Sequence, residues 1–226
     1  MKKSLVLVAI LALSILTINC ENNKDFYENV APGLKAVDDY TLISEKNFLT
    51  DYEPINEDGT INVVIEIPAG TTAKWEVTKP NRALKWDFKE GKPRIVNYLG
   101  YPGNYGMVPK TLLPKELGGD GDPLDVIVLG SAVPRGSVVK AKLIGVLKLL
   151  DGGEQDDKLI AVLANTPLYD VSNMKELNQK FPGVTTIIET WFVNYKGPGE
   201  LESNGFGDID KAKKILENAI KAFNEQ

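Results

Sequence analysis

Three carboxylates fall within six residues in the stretch Gly118-Gly119-Asp120-Gly121-Asp122-Pro123-Leu124-Asp125-Val126-Ile127-Val128-Leu129. Like charges that close repel one another unless something positive lies between them. A divalent cation is the natural candidate, and oxygen ligands of this hardness suit Mg²⁺ or Mn²⁺. Asp120 and Asp122 share a parity and Asp125 has the other. Pro123 implies an irregular bend that turns all three toward one point. A calcium-binding EF-hand is excluded: its loop needs glycine at position six and an acid at position twelve. Counted from Asp120, those positions hold Asp125 and Ser131. On these residues alone, a solvated acidic turn between strands stays open as the alternative.

The elements that must position these acids follow from pattern. Val126–Leu129 is a short apolar run bounded by turn residues, which reads as a buried strand. Ile61–Ile67 alternates with its odd positions apolar. Ala69–Thr72 then turns the chain and Lys74–Val77 returns as the second arm of a hairpin. Parity puts Trp75 and Val77 toward the core and places Glu66, Lys74 and Glu76 together on the other face, as a salt-bridge cluster or as part of a site. Leu84–Phe88 is a further strand and Glu90-Gly91-Lys92-Pro93 a turn leading to Arg94. Tyr98–Gly106, with three tyrosines, three glycines and a proline, reads as an ordered loop whose tyrosines pack at a rim or donate O–H groups into a cleft. Gly136–Leu150 and Leu159–Leu163 form a hairpin, and Asp151-Gly152-Gly153-Glu154-Gln155-Asp156-Asp157-Lys158 is its acidic tip. Val184, Ile187, Ile188, Trp191, Phe192 and Tyr195 recur at helical spacing. Gly197-Pro198 stops that helix and leaves Tyr195 and Lys196 at its end. Asp208 caps a last helix with Ala212, Ile215, Ala219, Ile220 and Phe223 on its buried face. Phe26–Asp58 has no clean period. Short strands first and helices late imply a small barrel with helices packed outside.

Composition narrows the chemistry. The 226 residues carry a net charge of −5 and no histidine. The acidic balance argues against broad nucleic-acid binding. The absence of histidine removes Ser-His-Asp and Cys-His catalysis and His-ligated zinc. Acid–base work therefore falls to carboxylates, lysine, tyrosine or metal-associated water. At the N-terminus, Lys2-Lys3 precede an apolar run of 15 residues, Ser4–Ile18. That is short for a membrane span and suits a secretory leader. The run ends at Cys20, the single cysteine of the chain. It resembles a bacterial lipoprotein signal, in which the cysteine is lipidated and becomes the new N-terminus. A plain secretory signal with an incidental cysteine is the alternative. The expected organisation is a signal at 1–20, a tether and N-terminal extension at 21–58, and one catalytic domain at 59–226. The chain is then exported and lipid-anchored to a bacterial membrane through Cys20.

Asp120-Gly121-Asp122-Pro123-Leu124-Asp125-Val126 resembles the signature of the family I soluble inorganic pyrophosphatases. Four further stretches match in order: Ile65–Gly70 with Lys74–Val77, Tyr101–Gly106, Leu150-Asp151 with Asp156-Asp157-Lys158, and Trp191–Lys196. The resemblance runs from Ile61 to Phe223, and Phe181-Pro182-Gly183 and Trp191-Phe192 are closer to the eukaryotic-type branch. It implies a mainly β, α+β fold: a five-stranded, OB-like twisted β-barrel with flanking helices. It implies hydrolysis of pyrophosphate to two orthophosphates with three or four Mg²⁺, Mn²⁺ being a possible substitute. By the same carry-over, Asp120, Asp125 and Asp156 bind the first metal, and Asp125 also reaches the second. Asp151 and Asp156 hold a metal that travels with substrate, and Glu66 acts near a fourth. Asp122 is the base acting on a metal-activated water. Lys74, Arg94, Tyr105, Lys158, Tyr195 and Lys196 bind phosphate oxygens. The branch implies a monomer or homodimer. A binding protein that keeps the barrel without activity, and hydrolysis of nucleotides or polyphosphate, remain alternatives.

Overall fold

The computed structural model describes residues 29–79, 83–115 and 118–226. The leader and Cys20 lie outside the described residues. The strands in chain order are β1 (Lys35–Asp38), β2 (Thr41–Ile43), β3 (Ile61–Ile67), β4 (Trp75–Val77), β5 (Ala83–Trp86), β6 (Phe88–Lys89), β7 (Lys92–Pro93), β8 (Asn104–Met107), β9 (Asp125–Leu129), β10 (Val138–Asp151), β11 (Glu154–Gln155), β12 (Lys158–Leu163) and β13 (Leu201–Gly207). The helices are α1 (Met174–Lys180), α2 (Val184–Asn194) and α3 (Ile209–Asn224). Among the described residues no helix is long and apolar enough to cross a membrane.

Five strands close on themselves. β10 pairs with β12, β12 with β9, β9 with β8, β8 with β3, and β3 returns to β10. Only β12 and β9 run parallel. This ring is the expected OB-like barrel, and closure leaves it without an exposed edge along the ring. β10 is long enough to leave β3 halfway along and pair with β13 instead. In β9 and β12 alternate residues join different clusters, and in β10 an irregularity between Leu143 and Gly145 shifts the alternation. Ile127, Leu129, Ile144 and Ile160 pack with α1 and α2 through Leu177, Ile188, Trp191 and Phe192. Val126, Val128, Val146 and Leu159 pack with α3 through Ala212, Ile215, Leu216 and Ala219. Strands covered on both faces read as unbroken apolar runs, which is why β9 and β12 are plain in the sequence.

A second, open sheet has the order β1-β2-β5-β4. Leu42, Phe48, Trp75, Leu84 and Trp86 pack it against Val64 and Met107 of the barrel. The periodless stretch before Asp58 thus contributes β1, β2 and the buried Phe48. The expected hairpin of Ile61–Ile67 with Lys74–Val77 does not form, because β4 pairs with β5. Pro68 has no N–H to continue the β3 ladder. The backbone groups of the turn are taken elsewhere: Gly70 donates to Tyr101, and Thr71 and Thr72 accept from Tyr101 and Val96.

Two other expectations need correction. The Tyr98–Gly106 stretch is not wholly a loop, since Asn104–Met107 is β8, a barrel strand. Its glycine serves a close crossing: a Cβ on Gly106 would lie 1.8 Å from the Val64 carbonyl oxygen. On α2, Ile187 shares the apolar period but is 63% exposed, so the period overstates the covered face. Asp208 does cap α3, its Oδ1 accepting from Lys211 N at 3.0 Å.

Candidate active site

Barrel geometry explains why distant acids meet. β9 and β12 are parallel neighbours, with Val126 opposite Leu159, so Asp125 and Lys158 begin their strands at the same rim. β10 runs the other way, so its last residue, Asp151, arrives at that rim. The tip between them brings Asp156. The loop ahead of β9 brings Asp120 and Asp122, with Gly121 between them at φ +83°, a left-handed conformation that suits glycine. Glu66 comes from β3 and Tyr105 from β8. Lys74 immediately precedes β4 and Arg94 follows β7. Tyr195 is the C-terminal cap of α2 and Lys196 the next residue.

All twelve residues singled out from the sequence line one cleft of about 210 Å³: Glu66, Lys74, Arg94, Tyr105, Asp120, Asp122, Asp125, Asp151, Asp156, Lys158, Tyr195 and Lys196. The three acids of the central stretch do not point to one spot, contrary to the bend expected of Pro123. Asp120 Oδ1 accepts from the Asp122 N–H at 2.8 Å, which ties up that oxygen in a tight turn. Asp122 reaches outward to Lys79 at 2.6 Å. Asp125 accepts from the Tyr105 hydroxyl at 2.5 Å and from Lys158. Lys158 also donates to Asp156, so one ammonium bridges two acids. Lys196 pairs with Asp151, Lys74 with Glu76, and Arg94 with Asp87 at 3.0 Å. Among the described residues no three carboxylates, as they stand, converge closely enough to hold one ion. Each of these acids except Asp120 and Glu66 instead holds a lysine.

Burial sets the electrostatics. Glu66 is buried, and desolvation pushes its pKa up to about 8, against the stabilising bond its Oε1 accepts from Val77 N at 2.7 Å. Asp120 and Asp156 are likewise raised by burial, which the Asp122 N–H and the Lys158 ammonium only partly oppose. Burial pulls Lys158 down, but Asp125 and Asp156 outweigh it and hold the ammonium above its ordinary value. Lys74 is lowered by burial and then by the nearby Arg94. Burial raises Tyr105 well above its ordinary value, with Asp125 adding to it, and pushes Tyr195 up to about 12. Both phenols therefore stay protonated as donors at neutral pH. The donor set fits hard divalent cations: seven carboxylates line the cleft, with no histidine or cysteine among its lining residues, and a buried cation is already required between Asp125 and Asp156.

Three residues were not singled out for the site. Tyr101 lines the cleft and lies 4.4 Å from Trp191, ring to ring. It belongs to the tyrosine-rich stretch, but nothing in that stretch ranks its tyrosines. Glu76 lines the cleft too, and its shared parity with Glu66 and Lys74 was the readable sign. Lys79 reaches Asp122 from beyond β4, and no spacing in the sequence marks it.

Fold and cleft together define an OB-like barrel protein with a polyacidic site rimmed by lysine, arginine and tyrosine. Residues 63–224 match the sequence profile of the family described as inorganic pyrophosphatase. The chain is 37% identical to the inorganic pyrophosphatase of Drosophila melanogaster over 210 residues, covering 83% of this chain and 62% of that one. It is 37% identical to that of Kluyveromyces lactis, covering 85% and 76%. Among solved structures, the type I inorganic pyrophosphatase of Toxoplasma gondii superposes with a TM-score of 0.77 at 26% identity, covering 85% and 97%. The N-terminally truncated vacuolar soluble pyrophosphatase of Trypanosoma cruzi, in complex with PPi, does so at 0.71 and 28% identity, covering 87% and 79%. The chain belongs to the inorganic pyrophosphatase family. It spans 62%, 60% and 64% of the fly, yeast mitochondrial and algal chloroplast relatives, about three fifths of their length.

Proposed function

We propose that this chain hydrolyses inorganic pyrophosphate to two orthophosphates in a Mg²⁺-dependent reaction. The observation that carries the reading is the gathering of seven acids with Lys74, Arg94, Lys158 and Lys196 in one cleft. Pyrophosphate carries several negative charges and repels a nucleophile, so a site for it needs cations near both phosphoryl groups. Asp120, Asp125, Asp151 and Asp156, with Glu66 at the edge, would hold three or four Mg²⁺, with Mn²⁺ as a substitute. When bound, these ions neutralise phosphate oxygens and lower the pKa of the attacking water.

The residues of the chain do the rest. Asp122 takes a proton from the attacking water as it forms a bond to phosphorus and the bridging oxygen leaves with the second phosphate. Lys74, Arg94, Lys158 and Lys196 take the charge the ions leave uncovered, and Arg94 offers a planar fork to phosphate oxygens. The hydroxyls of Tyr105 and Tyr195, kept protonated by burial, donate hydrogen bonds. For substrate to use Lys158 and Lys196, these must give up their acids, and Asp125, Asp156 and Asp151 would then be free to hold metal.

The test is phosphate release from pyrophosphate, ATP and polyphosphate, with Mg²⁺ and with EDTA. Release from pyrophosphate that EDTA abolishes is expected. No release, or faster release from ATP or polyphosphate, would overturn the reading.

The reading extends to location and assembly. The apolar run ending at Cys20 supports export and attachment to a bacterial membrane through a lipidated cysteine. Several acyl chains hold such a protein firmly where one would not. A Cys20→Ser form still found in the membrane fraction would count against it. The protein works as a monomer or homodimer, and a hexamer mass by light scattering would contradict that.

A further inference from the structure

Arg135 lies in the turn before β10 and is 4% exposed. Its Nε donates to the Glu66 carbonyl oxygen at 2.9 Å, and its guanidinium lies over the Trp75 ring at 4.6 Å. Among the described residues nothing accepts from its two terminal nitrogens, and no carboxylate pairs with it. Burial pulls its pKa down to about 10, with no acidic neighbour opposing. The contrast with Arg94, paired to Asp87, and with Lys158, held by two acids, is sharp. Its terminal nitrogens are not sealed in, since they are not among the buried unpartnered atoms, so these donors open to the surface and are placed to meet an anion there.

Arg135 lines a pocket of about 190 Å³ with Asn29, Gly70, Thr71 and Thr72, and no carboxylate lines it. Thr71 Oγ1 donates to the Pro68 carbonyl. The Trp75 indole Nε1, in the ring beneath the guanidinium, is among the described residues the one buried side-chain nitrogen or oxygen without a partner. The pocket shares no lining residue with the acidic cleft. Its chemistry is one fixed positive charge with no carboxylate beside it.

We propose that Arg135, Thr71 and Thr72 form a second site that binds a free tetrahedral oxyanion of phosphate size. The guanidinium fork is shaped for two of its oxygens and the Thr72 hydroxyl for a third, the Thr71 hydroxyl being already committed to the Pro68 carbonyl. The site needs no divalent cation and stands whether or not the acidic cleft hydrolyses pyrophosphate.

The test titrates inorganic phosphate into the full chain in EDTA, followed by tryptophan fluorescence and by thermal unfolding. Wild type is expected to show a saturable response and a rising Tm. Arg135→Gln should weaken phosphate binding by at least about tenfold. Thr72→Glu should do the same by placing a carboxylate in the pocket while leaving Arg135 and its packing intact. It carries the test alone if Arg135→Gln fails to fold. Arg94→Gln, in the acidic cleft, should leave the response unchanged. No saturable response in wild type would overturn the proposal. So would a response lost in Arg94→Gln but kept in Thr72→Glu.

Discussion

The cleft has two walls, built by two sheets of different kinds. The closed barrel supplies Glu66, Tyr105, Asp125, Asp151 and Lys158 from the ends of strands hydrogen-bonded around a ring. The open sheet and the strand pair beside it supply Lys74, Glu76 and Arg94 from β4 and the end of β7. On the barrel wall, Asp125 alone meets Tyr105 and Lys158, and Lys158 meets Asp156 as well. On the open-sheet wall, Lys74 and Arg94 each pair with an acid of that same wall. On the proposed reading, metal holding falls on the mutually dependent barrel wall, which also lends Tyr105 and Lys158 to substrate, while Lys74 and Arg94 on the wall of separable ion pairs serve substrate alone. Substitutions on the barrel wall should disturb metal, rate and stability together. Those on the open-sheet wall should disturb substrate affinity alone.

The largest effects are expected in the central stretch, where the barrel wall itself divides. Asp122→Asn keeps the shape but cannot take a proton. Turnover should fall by roughly 10²–10⁴-fold, the usual weight of a general base. The Mg²⁺ needed for half activity should stay put, and the pH optimum should move up. Asp125→Asn should lose rate and also raise that Mg²⁺ requirement, because it removes charge from the cage. If Asp122→Asn loses metal affinity as badly as Asp125→Asn, Asp122 is simply a further ligand.

Next comes Lys158→Met. It leaves Asp125 and Asp156 facing each other without their shared cation, a change that costs roughly 3–5 kcal/mol when such groups are buried. In EDTA the Tm should fall sharply. Added Mg²⁺ should restore more of it in the variant than it adds to wild type, since the ion takes over the role of the lysine. Equal stabilisation of both proteins by Mg²⁺ would show that these two acids do not hold metal. On the other wall, Lys74→Ala should raise KM for pyrophosphate by about tenfold, the loss of one charge-assisted contact, with the Mg²⁺ requirement unchanged. A shifted Mg²⁺ requirement there would erase the distinction between the walls.

The two regions also differed in how far they could be read from sequence. β9, β10 and β12 announce themselves because buried faces or long alternation leave an apolar record, and the acids at their ends inherit correct positions. The open sheet leaves little record. β1 is exposed along its length, β2 is three residues long, and β4 finds its partner in β5 by turning away from β3. β13 reads Leu-Glu-Ser-Asn-Gly-Phe-Gly, too polar and glycine-rich to stand out, because β10 and not a hydrophobic face holds it. α1 has seven residues, fewer than two helical periods confirm, and is fixed by Asn173 capping Glu176 N. The side-chain identities of the cleft were legible from motif. Lys79 and Arg135 were not: Lys79 lies just past β4 of the open sheet, and Arg135, in the turn before β10, meets that sheet through the Trp75 ring.

The smallest expected effect lies at the joint between the walls, and it tests whether they are separate at all. Glu66 belongs to β3 of the barrel, yet its Oε1 accepts from Val77 N of β4 in the open sheet. Burial holds its folded pKa near 8, far above the ordinary value of 4.5. A carboxyl raised in this way favours the folded state while protonated. That contribution is complete below about pH 4.5 and is lost as pH rises through about 8. In EDTA, wild type should therefore lose Tm between pH 5 and pH 8 relative to Glu66→Gln, which stays neutral and keeps an oxygen for Val77 N. The two curves should converge at the acid end and part toward pH 8, with the variant higher. Parallel curves would show that Glu66 ionises at no cost to folding. The bond to Val77 would then be an ordinary carboxylate contact, and the two sheets would be joined by packing alone.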